Sequence, residues 1–291
     1  MASHMQPMSC LFTCVVAYCV SLVTSTAGVS GAFLLLPFQM SVLGLGGPAV
    51  TPTNLLFNVV AAPSGIYRYM REGRMVWPLA IVIAVGTVPG VVVGALVRIY
   101  LLPDARNFKL FAGIVLLLLG AHLGLSLLMR RAAAKPVAGS FLVRAARLGL
   151  RRLEYEFKGA RHSMATSTLV LLALGIGVVG GIYGVGGGAI MAPVLVSIGR
   201  LPIHSTAGAT LLGTFLTSLV GIAFFAASAR VLAQPALMPD WWLGTSLGLG
   251  GLLGMYSGAR LQRHLPARGI EAVLALATTG LAISYIVGYM R

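Results

Sequence analysis

Gly184-Val185-Gly186-Gly187-Gly188-Ala189-Ile190-Met191-Ala192-Pro193 is the stretch that decides the fold. It is apolar and uncharged, it lies between two long hydrophobic runs, and four of its first five residues are glycine. Each glycine costs about 0.8–1 kcal/mol relative to alanine inside a helix. The composition therefore predicts a broken or extended backbone. In lipid, such backbone is stable only where protein buries it or where it lines a cavity.

The stretch has a counterpart 156 residues earlier, Gly28-Val29-Ser30-Gly31-Ala32-Phe33-Leu34-Leu35-Leu36-Pro37. Two glycines, one valine and the proline occupy the same places in both stretches, and the offset continues without a gap as far as Ile66 and Ile222. We interpret this pattern as an internal duplication. Paired Gly/Pro-interrupted apolar segments in two halves of a chain indicate the binding site of a transporter. Close helix packing is the alternative explanation for the glycines.

The composition is that of an integral membrane protein. Of the 291 residues, 58 % are apolar and 9 % are charged, and the mean hydropathy is +0.93, whereas soluble domains carry about 25 % charged residues. The net charge of +15 is interpreted as a topology signal and as contact with lipid headgroups, not as nucleic-acid binding. The three cysteines all fall in the first apolar run, where they do not form a metal-binding framework.

The apolar runs predict an all-α polytopic membrane protein with two repeats of about five membrane segments each. Residues 1–5 look like an expression remnant, 6–129 form the first repeat, 130–165 a basic cytoplasmic linker, and 166–291 the second repeat. The predicted segments are 8–27, 28–44, 48–69, 76–97 and 108–129, then 167–183, 184–199, 203–228, 241–258 and 270–289. Within the linker, 142–157 is partly amphipathic, so we expect a helix on the membrane surface there.

The path of the two short segments decides how the repeats are related. If both segments re-enter, the halves are parallel, and the Lys and Arg residues divide 14 to 7 between the two sides of the membrane. If both cross, the halves are inverted, and the division is 16 to 5. Because cytoplasmic loops are enriched in Lys and Arg, we favour inverted repeats with both termini outside the cytoplasm.

The polar residues near the broken segments are uncharged, which is compatible with an anion site. All six acidic residues lie in loops or at the ends of apolar runs, whereas cation and proton transporters usually carry ionisable groups inside the membrane. An anion can bind directly to free N–H groups at the start of a broken helix. Asn54 and Asn58 lie one helical turn apart, and Thr210 and Thr214 hold the matching positions in the second half. These stripes either line a substrate site or bond helices together.

The candidate substrate-binding residues are the glycines of the breaks and the polar side chains around them: Ser30, Gly31, Gln39, Thr51, Asn54, Asn58, Gly186, Gly187, Gly188, Thr206, Thr210 and Thr214. His204 is a candidate for a proton-linked role, with an ordinary interfacial histidine as the alternative. No nucleophile–base set, metal-ligand spacing or cofactor motif is recognisable. We therefore expect no enzyme activity, no metal and no cofactor.

The segment Gly184–Pro193, followed by Ala207–Thr210 and Ser218–Gly221, resembles the TauE/SafE sulfite-exporter family of bacterial permeases, also called the toluene-sulfonate uptake permease family. The first half is similar at Gly28–Pro37, but Ser30 and Ala32 stand where the second half has glycine. The resemblance covers nearly the whole chain. It implies a duplicated all-helical fold and transport of a small sulfur-containing anion across the inner membrane.

Together these features predict a multi-pass secondary transporter of the bacterial inner membrane that works by alternating access. The expected substrate is sulfite, thiosulfate or an organosulfonate, and the expected partners are that oxyanion and membrane lipids, with no nucleic acid; the chain is also compatible with a homodimer. The first alternative is an anion channel with the same site. The second is a non-transporting membrane enzyme or assembly factor.

Overall fold

The computed structural model describes residues 7–26, 28–129, 142–149, 151–199, 201–264 and 267–290, so residues 1–5 and 130–141 of the predicted organisation lie outside the described part. The described helices and strands are α1 (Pro7–Thr26), α2 (Ala32–Ser41), α3 (Val50–Arg71), α4 (Trp77–Tyr100), α5 (Ala105–Met129), β1 (Val143–Leu148), β2 (Arg152–Phe157), β3 (Ala160–Ala165), α6 (Thr166–Tyr183), α7 (Gly187–Ser197), α8 (Ile203–Val231), α9 (Trp241–Leu261) and α10 (Ala267–Met290). These helices confirm the predicted all-α membrane part.

Four described helices, α4, most of α5, α6 and α8, are long and apolar enough to cross a membrane. Large apolar side chains such as Val85, Leu118 and Leu276 are exposed on the outside of the bundle, as expected of surfaces that face lipid. Helix α3 is less apolar, but the polar residues of its first half are buried inside the protein, including Asn54 and Asn58 with no exposed surface. The chain is therefore a multi-pass membrane protein whose most polar helix faces its interior.

Helices from the two halves pack against each other through glycine. A Cβ atom added at Gly90 or Gly94 of α4 would lie 2.8 Å from a backbone nitrogen of α6. On the other side of the bundle, one added at Gly250 or Gly258 of α9 would lie 2.8 or 3.1 Å from a backbone carbon of α1. Both crossings therefore require residues without side chains, as expected for close helix packing in membranes.

The order of these contacts gives the relative directions of the helices. Helices α1, α3 and α9 are parallel to one another, because the contacting residue numbers rise together along each pair. The same holds for α4 with α6 and for α4 with α8. In contrast, α3 and α8 are antiparallel, since Leu55 contacts Gly221 whereas Gly65 contacts Leu211. Helices α5 and α10 also pack antiparallel.

The predicted surface helix over 142–157 is wrong, because this part of the chain forms β1 and β2 of a three-stranded antiparallel sheet. Buried Leu153, Tyr155 and Phe157 alternate with charged residues along β2, and this period of two is the signature of a strand. Lys158 and Gly159, both at positive φ, form the two-residue turn between β2 and β3, as in a type I′ hairpin.

The sheet is attached to one end of the helix bundle. The Val143 N–H donates to the Gly73 carbonyl between α3 and α4 (3.0 Å), and the hydroxyls of Tyr155 and Ser205 lie 2.9 Å apart. Burial raises the pKa of Tyr155 to about 12, so this hydroxyl stays protonated at neutral pH. The sheet therefore adjoins the α3–α4 turn and the start of α8.

Candidate substrate site at the two helix breaks

Each short helix follows a break at left-handed glycines. Helix α6 ends at Tyr183, Gly184 has φ +81° and Gly186 has φ +73°, and α7 begins at Gly187. In the first half Gly28 has φ +70° and α2 begins at Ala32. Glycine adopts this backbone without the penalty of a side chain. The expected break is therefore present at 184–186, but the expectation that it extends to residue 193 is wrong, because 187–197 are helical.

Asn54 of α3 joins the break of its own half to that of the other half. Its amide donates to the Ala32 carbonyl (2.9 Å) and to the Gly184 carbonyl (3.1 Å). Its side-chain oxygen accepts a bond from Gln39 of α2 (3.0 Å). Both amide protons are thus used on backbone carbonyls at the breaks. Gly184 follows the last residue of α6, where carbonyls lack their regular helical partners, whereas Ala32 is the first residue of α2.

Asn58, one turn further along α3, makes a second bridge between the halves. Its amide donates to the Val185 carbonyl (3.0 Å) and to the Ser218 hydroxyl on α8 (3.1 Å). The Ser30 hydroxyl donates to the oxygen of the same side chain. Asn58, Ser30 and Ser218 all have no exposed surface. This chain of bonds therefore runs from the first break through α3 to the second break and α8.

The second half makes an equivalent contact at the matching position. The Thr210 hydroxyl of α8 lies 3.0 Å from the Gly28 carbonyl in the first break and 3.0 Å from the Ala207 carbonyl of its own helix, so these two acceptors share its proton. Thr210 corresponds to Asn54, and Gly28 corresponds to Gly184. Each half thus bonds the leading glycine of the other half's break. We call the bonds made by Asn54, Asn58 and Thr210 the crossing network.

Comparison with known proteins identifies the family. A family model described as "Sulfite exporter TauE/SafE" matches residues 13–285. The chain belongs to this family. It is 26 % identical over 252 residues to "Probable membrane transporter protein YunE" of Bacillus subtilis, which covers 83 % of this chain and 88 % of the relative. No solved structure matches the chain.

Two further relatives carry the same kind of name. A "Probable membrane transporter protein" of Xylella fastidiosa is 24 % identical over 262 residues, covering 89 % of this chain and 88 % of the relative. The "Probable membrane transporter protein y4hK" of Sinorhizobium fredii is 26 % identical over 254 residues, covering 86 % of each. The expectation of a membrane transporter rather than an enzyme is thus confirmed.

In this TauE/SafE chain the glycines of the second break lie directly against α8 and α4. A Cβ added at Gly186 would be 2.9 Å from the Thr214 carbonyl oxygen, and one added at Gly188 would be 2.6 Å from the Thr214 nitrogen. One added at Gly187 would meet the side chain of Thr87. The Gly187 N–H donates to the Thr217 hydroxyl at 3.1 Å. The second break thus packs through its backbone against α8, in addition to the bonds that it accepts from Asn54 and Asn58.

Four of the predicted residues make contacts outside the crossing network. Gly31 lies against the Ser21 hydroxyl, and Thr51 bonds Arg98. The Thr206 hydroxyl bonds carbonyls in the first turn of its own helix, outside the crossing network. His204 lies in the same turn, and its side chain contacts Gln262. The structure therefore does not bring His204 or Thr206 into the crossing network.

Tyr183 makes a contact that was not predicted from the sequence. Its hydroxyl donates to the Phe33 carbonyl of α2 at 3.1 Å. Pro37 stands four residues after Phe33 inside α2, and proline has no N–H to donate to that carbonyl. The second half therefore supplies the missing donor. Pro37 was the signal for it, because a buried helix interrupted by proline needs a donor for the carbonyl that the ring leaves unpaired.

A narrow apolar crevice, with a volume of about 10 Å³, lies beside both short helices. Val29, Phe33, Ala189 and Pro193 line it from the two duplicated segments, and the remaining lining residues are Leu119, Leu123 and Thr278. The crossing network itself is fully buried. Among the described residues, no group of three His, Cys, Asp or Glu side chains is placed to bind a metal ion.

Proposed function

We propose that this transporter moves a small sulfur-containing oxyanion, sulfite, thiosulfate or an organosulfonate, across the bacterial inner membrane by alternating access. The single observation that carries the proposal is the reciprocal contact at the breaks. Asn54 donates to the Gly184 carbonyl, and Thr210 donates to the Gly28 carbonyl at the matching place. Transporter sites characteristically lie where broken helices of two repeats meet.

The proposed architecture is a pair of inverted repeats, and the helix directions support it. The matching pairs in the two halves are α1 with α6, α3 with α8, and α4 with α9. The contacts give each member of a pair the direction opposite to that of its partner. With α1 and α3 parallel, residues 28–49 return the chain across the membrane. Helix α2 has 10 residues and α7 has 11, about 15–17 Å each at 1.5 Å per residue, so irregular backbone completes each crossing.

The side with the sheet is proposed to be cytoplasmic. The α3–α4 turn, the sheet, the start of α8 and the end of α9 are connected by contacts such as Val143 with Gly73 and Arg74 with Gln262. This grouping corresponds to the division of 16 basic residues against 5, and the richer side faces the cytoplasm under the positive-inside rule. Anionic lipid headgroups are the expected partners of its exposed arginines.

The chemistry of the breaks is compatible with an oxyanion. The side chains of the crossing network are amides and hydroxyls, which donate to anionic oxygens without a counter-charge in the membrane. In this arrangement most of their donors are used on carbonyls. A typical neutral hydrogen bond contributes only about 0.5–1.5 kcal/mol net. Substrate oxygens can therefore replace break carbonyls as acceptors when one half moves.

Ligand-dependent thermal unfolding of the detergent-purified protein tests this proposal. The ligand panel is sulfite, thiosulfate, sulfoacetate, taurine, sulfate and chloride. A ligand at 100 times its dissociation constant stabilises the folded state by about 2.7 kcal/mol. We expect stabilisation by a sulfur oxyanion and saturable uptake of that anion into liposomes. Stabilisation by a cation or a neutral solute alone would contradict the substrate class, and electrical conductance far above carrier turnover would indicate a channel.

Thr210→Val provides the matched variant for the same assay. It removes one hydroxyl from the crossing network, whereas Thr245→Val removes a hydroxyl that bonds only carbonyls of its own helix, α9. We expect Thr210→Val to weaken the anion affinity and Thr245→Val to leave it unchanged. Equal affinities in both variants would identify Thr210 as a packing contact only.

A further inference from the structure

Arg98 is a fully buried arginine in the last turn of α4, with no exposed surface. The segment predicted from the sequence ends at residue 97, but the helix continues to Tyr100. A buried charge is costly unless an opposite charge and hydrogen bonds compensate for it. The neighbours of this guanidinium therefore decide what it can bind.

The partners of Arg98 are all neutral. Its Nε donates to the Thr51 hydroxyl (3.1 Å), one terminal nitrogen donates to the Gly47 carbonyl (3.3 Å), and the other donates to the Leu102 carbonyl. The ring of Phe108 lies 4.0 Å below the guanidinium carbon. Within the described part of the chain, no carboxylate forms an ion pair with Arg98, and the acidic group that influences it is exposed Asp104.

The other fully buried arginine, Arg74, is compensated. It precedes α4 and so lies at the opposite end of that helix from Arg98. Glu72 forms an ion pair with it, and Gln262 and the Ala259 carbonyl accept its remaining bonds. Arg74 thus connects the two halves and contacts a carboxylate, which Glu72 shares with Arg68. Arg98 is equally buried, but within the described part of the chain no carboxylate contacts it.

Arg98 is also connected to the second break. Its partner Thr51 is a predicted site residue and donates from its hydroxyl to the Ile182 carbonyl at 3.4 Å. The Thr51 backbone packs directly on Gly184, where an added Cβ would lie 2.7 Å from the Thr51 carbonyl oxygen. Asn54 lies on the next turn of the same helix. The guanidinium is therefore two contacts away from the carbonyl that Asn54 binds.

We propose that Arg98 is the charged ligand of the transported oxyanion, at the end of the site opposite the sheet. This inference rests on the proposed function and adds a specific residue to it. The planar guanidinium donates two parallel bonds to a sulfur oxyanion, as it does to carboxylate and phosphate. The anion replaces carbonyl acceptors that carry only partial charge, and it balances the buried positive charge. Gly47, Leu102 and Thr51 hold the guanidinium in place when substrate is absent.

The test compares Arg98→Gln with Arg106→Gln. Arg106 lies near the same end of the bundle and has a comparable aromatic contact, with Tyr289, but it is exposed. Both variants lose one positive charge. Using radiolabelled thiosulfate and the purified proteins, we expect Arg98→Gln to bind at least about tenfold more weakly, equivalent to 1.4 kcal/mol, and Arg106→Gln to bind as the wild type does. Equal losses in both variants, or none in Arg98→Gln, would overturn the assignment.

Arg98→Lys gives a second test that keeps the charge. An ammonium group lacks the forked geometry, so we expect an affinity between those of the wild type and Arg98→Gln. If Arg98→Gln does not fold, Arg98→Lys decides alone: wild-type affinity would overturn the proposal, and weaker binding would support it. If wild-type protein binds no sulfur oxyanion at all, the proposed function fails. If it binds one that Arg98→Gln binds equally well, only the role of Arg98 fails.

Discussion

The two helix breaks differ at two matching positions. The first break carries Ser30 and Ala32, where the second carries Gly186 and Gly188. In the first half, the Ser30 hydroxyl and the amide of Asn54 fill the space between α2 and α3. In the second half, α8 lies against the backbone of α7 without an intervening side chain. The same duplicated motif therefore packs in two different ways.

This difference gives the two halves different freedom to move. Side-chain bonds at the first break can exchange partners by rotation about single bonds. The backbone contact at the second break changes only if two helices separate. We therefore expect the first break to adapt to the substrate and the second to act as a rigid support. Substitutions at matching positions test this asymmetry.

The largest effect is expected for Gly188→Leu. An added Cβ collides with the Thr210 carbonyl and lies 2.6 Å from the Thr214 nitrogen, and backbone atoms cannot rotate away. Overpacking usually costs about 1–3 kcal/mol, and a collision between two helix backbones is expected to exceed about 4 kcal/mol. Loss of monodisperse protein in size-exclusion chromatography is the measurement. Gly175→Leu is the control, because no atom lies within 4 Å of its added Cβ. Normal yield of both variants would contradict the close contact.

The second prediction compares Asn58→Leu with Thr214→Val. Asn58 makes bonds with Val185, Ser218 and Ser30, and its removal leaves buried polar groups without a partner, each costing about 1–3 kcal/mol. The Thr214 hydroxyl donates only to its own helix, so its loss should stay within about 0.5 kcal/mol. Thermal unfolding should show a clear loss of stability only for Asn58→Leu. Equal losses of stability would show that the two halves depend equally on side-chain hydrogen bonds.

The sequence was sufficient to predict the positions of the helices. The identical offset of Gly28 and Gly184, together with the apolar runs, gave ten segments that correspond to the ten described helices. The end of α4 was missed because Arg98 was interpreted as a boundary residue, whereas the protein interior accommodates it. The sheet was missed because the alternation at Leu153, Tyr155 and Phe157 was interpreted as amphipathic helix.

The partners of the site residues could be predicted only in part. Matching positions put Asn54 and Thr210 in corresponding polar stripes of the two halves, and the structure brings both to the breaks. No pattern in the sequence says that Asn54 reaches the Gly184 carbonyl of the other half. That contact depends on the antiparallel packing of α3 and α8, which long-range geometry determines. The bond from Tyr183 was not predicted, but it was predictable in principle, because Pro37 leaves the Phe33 carbonyl without its helical donor.

Ser30→Ala is expected to have a moderate effect. It removes the hydroxyl that donates to Asn58 and accepts from the Ala32 N–H, but it keeps the backbone of the break. The net loss is about 0.5–1.5 kcal/mol for each neutral bond. Because Gly186 has no hydroxyl at the matching place, the variant makes the first break more like the second. We expect lower thermal stability and weaker discrimination among the oxyanions of the panel. Unchanged stability and selectivity would show that Asn58 is positioned by Val185 and Ser218 alone.

The smallest effect is expected for Ala32→Gly, which gives the first break the residue that Gly188 provides in the second. Glycine costs about 0.8–1 kcal/mol within a helix, and less is expected here because Ala32 begins α2. The bond from Asn54 is made to the Ala32 carbonyl, so it survives the substitution. We therefore expect a small fall in the unfolding temperature and an unchanged anion affinity. A large loss of affinity would mean that the Ala32 methyl group itself holds α2 at the distance from α3 that the Asn54 amide needs to reach the Ala32 carbonyl. The first break would then be as rigid as the second.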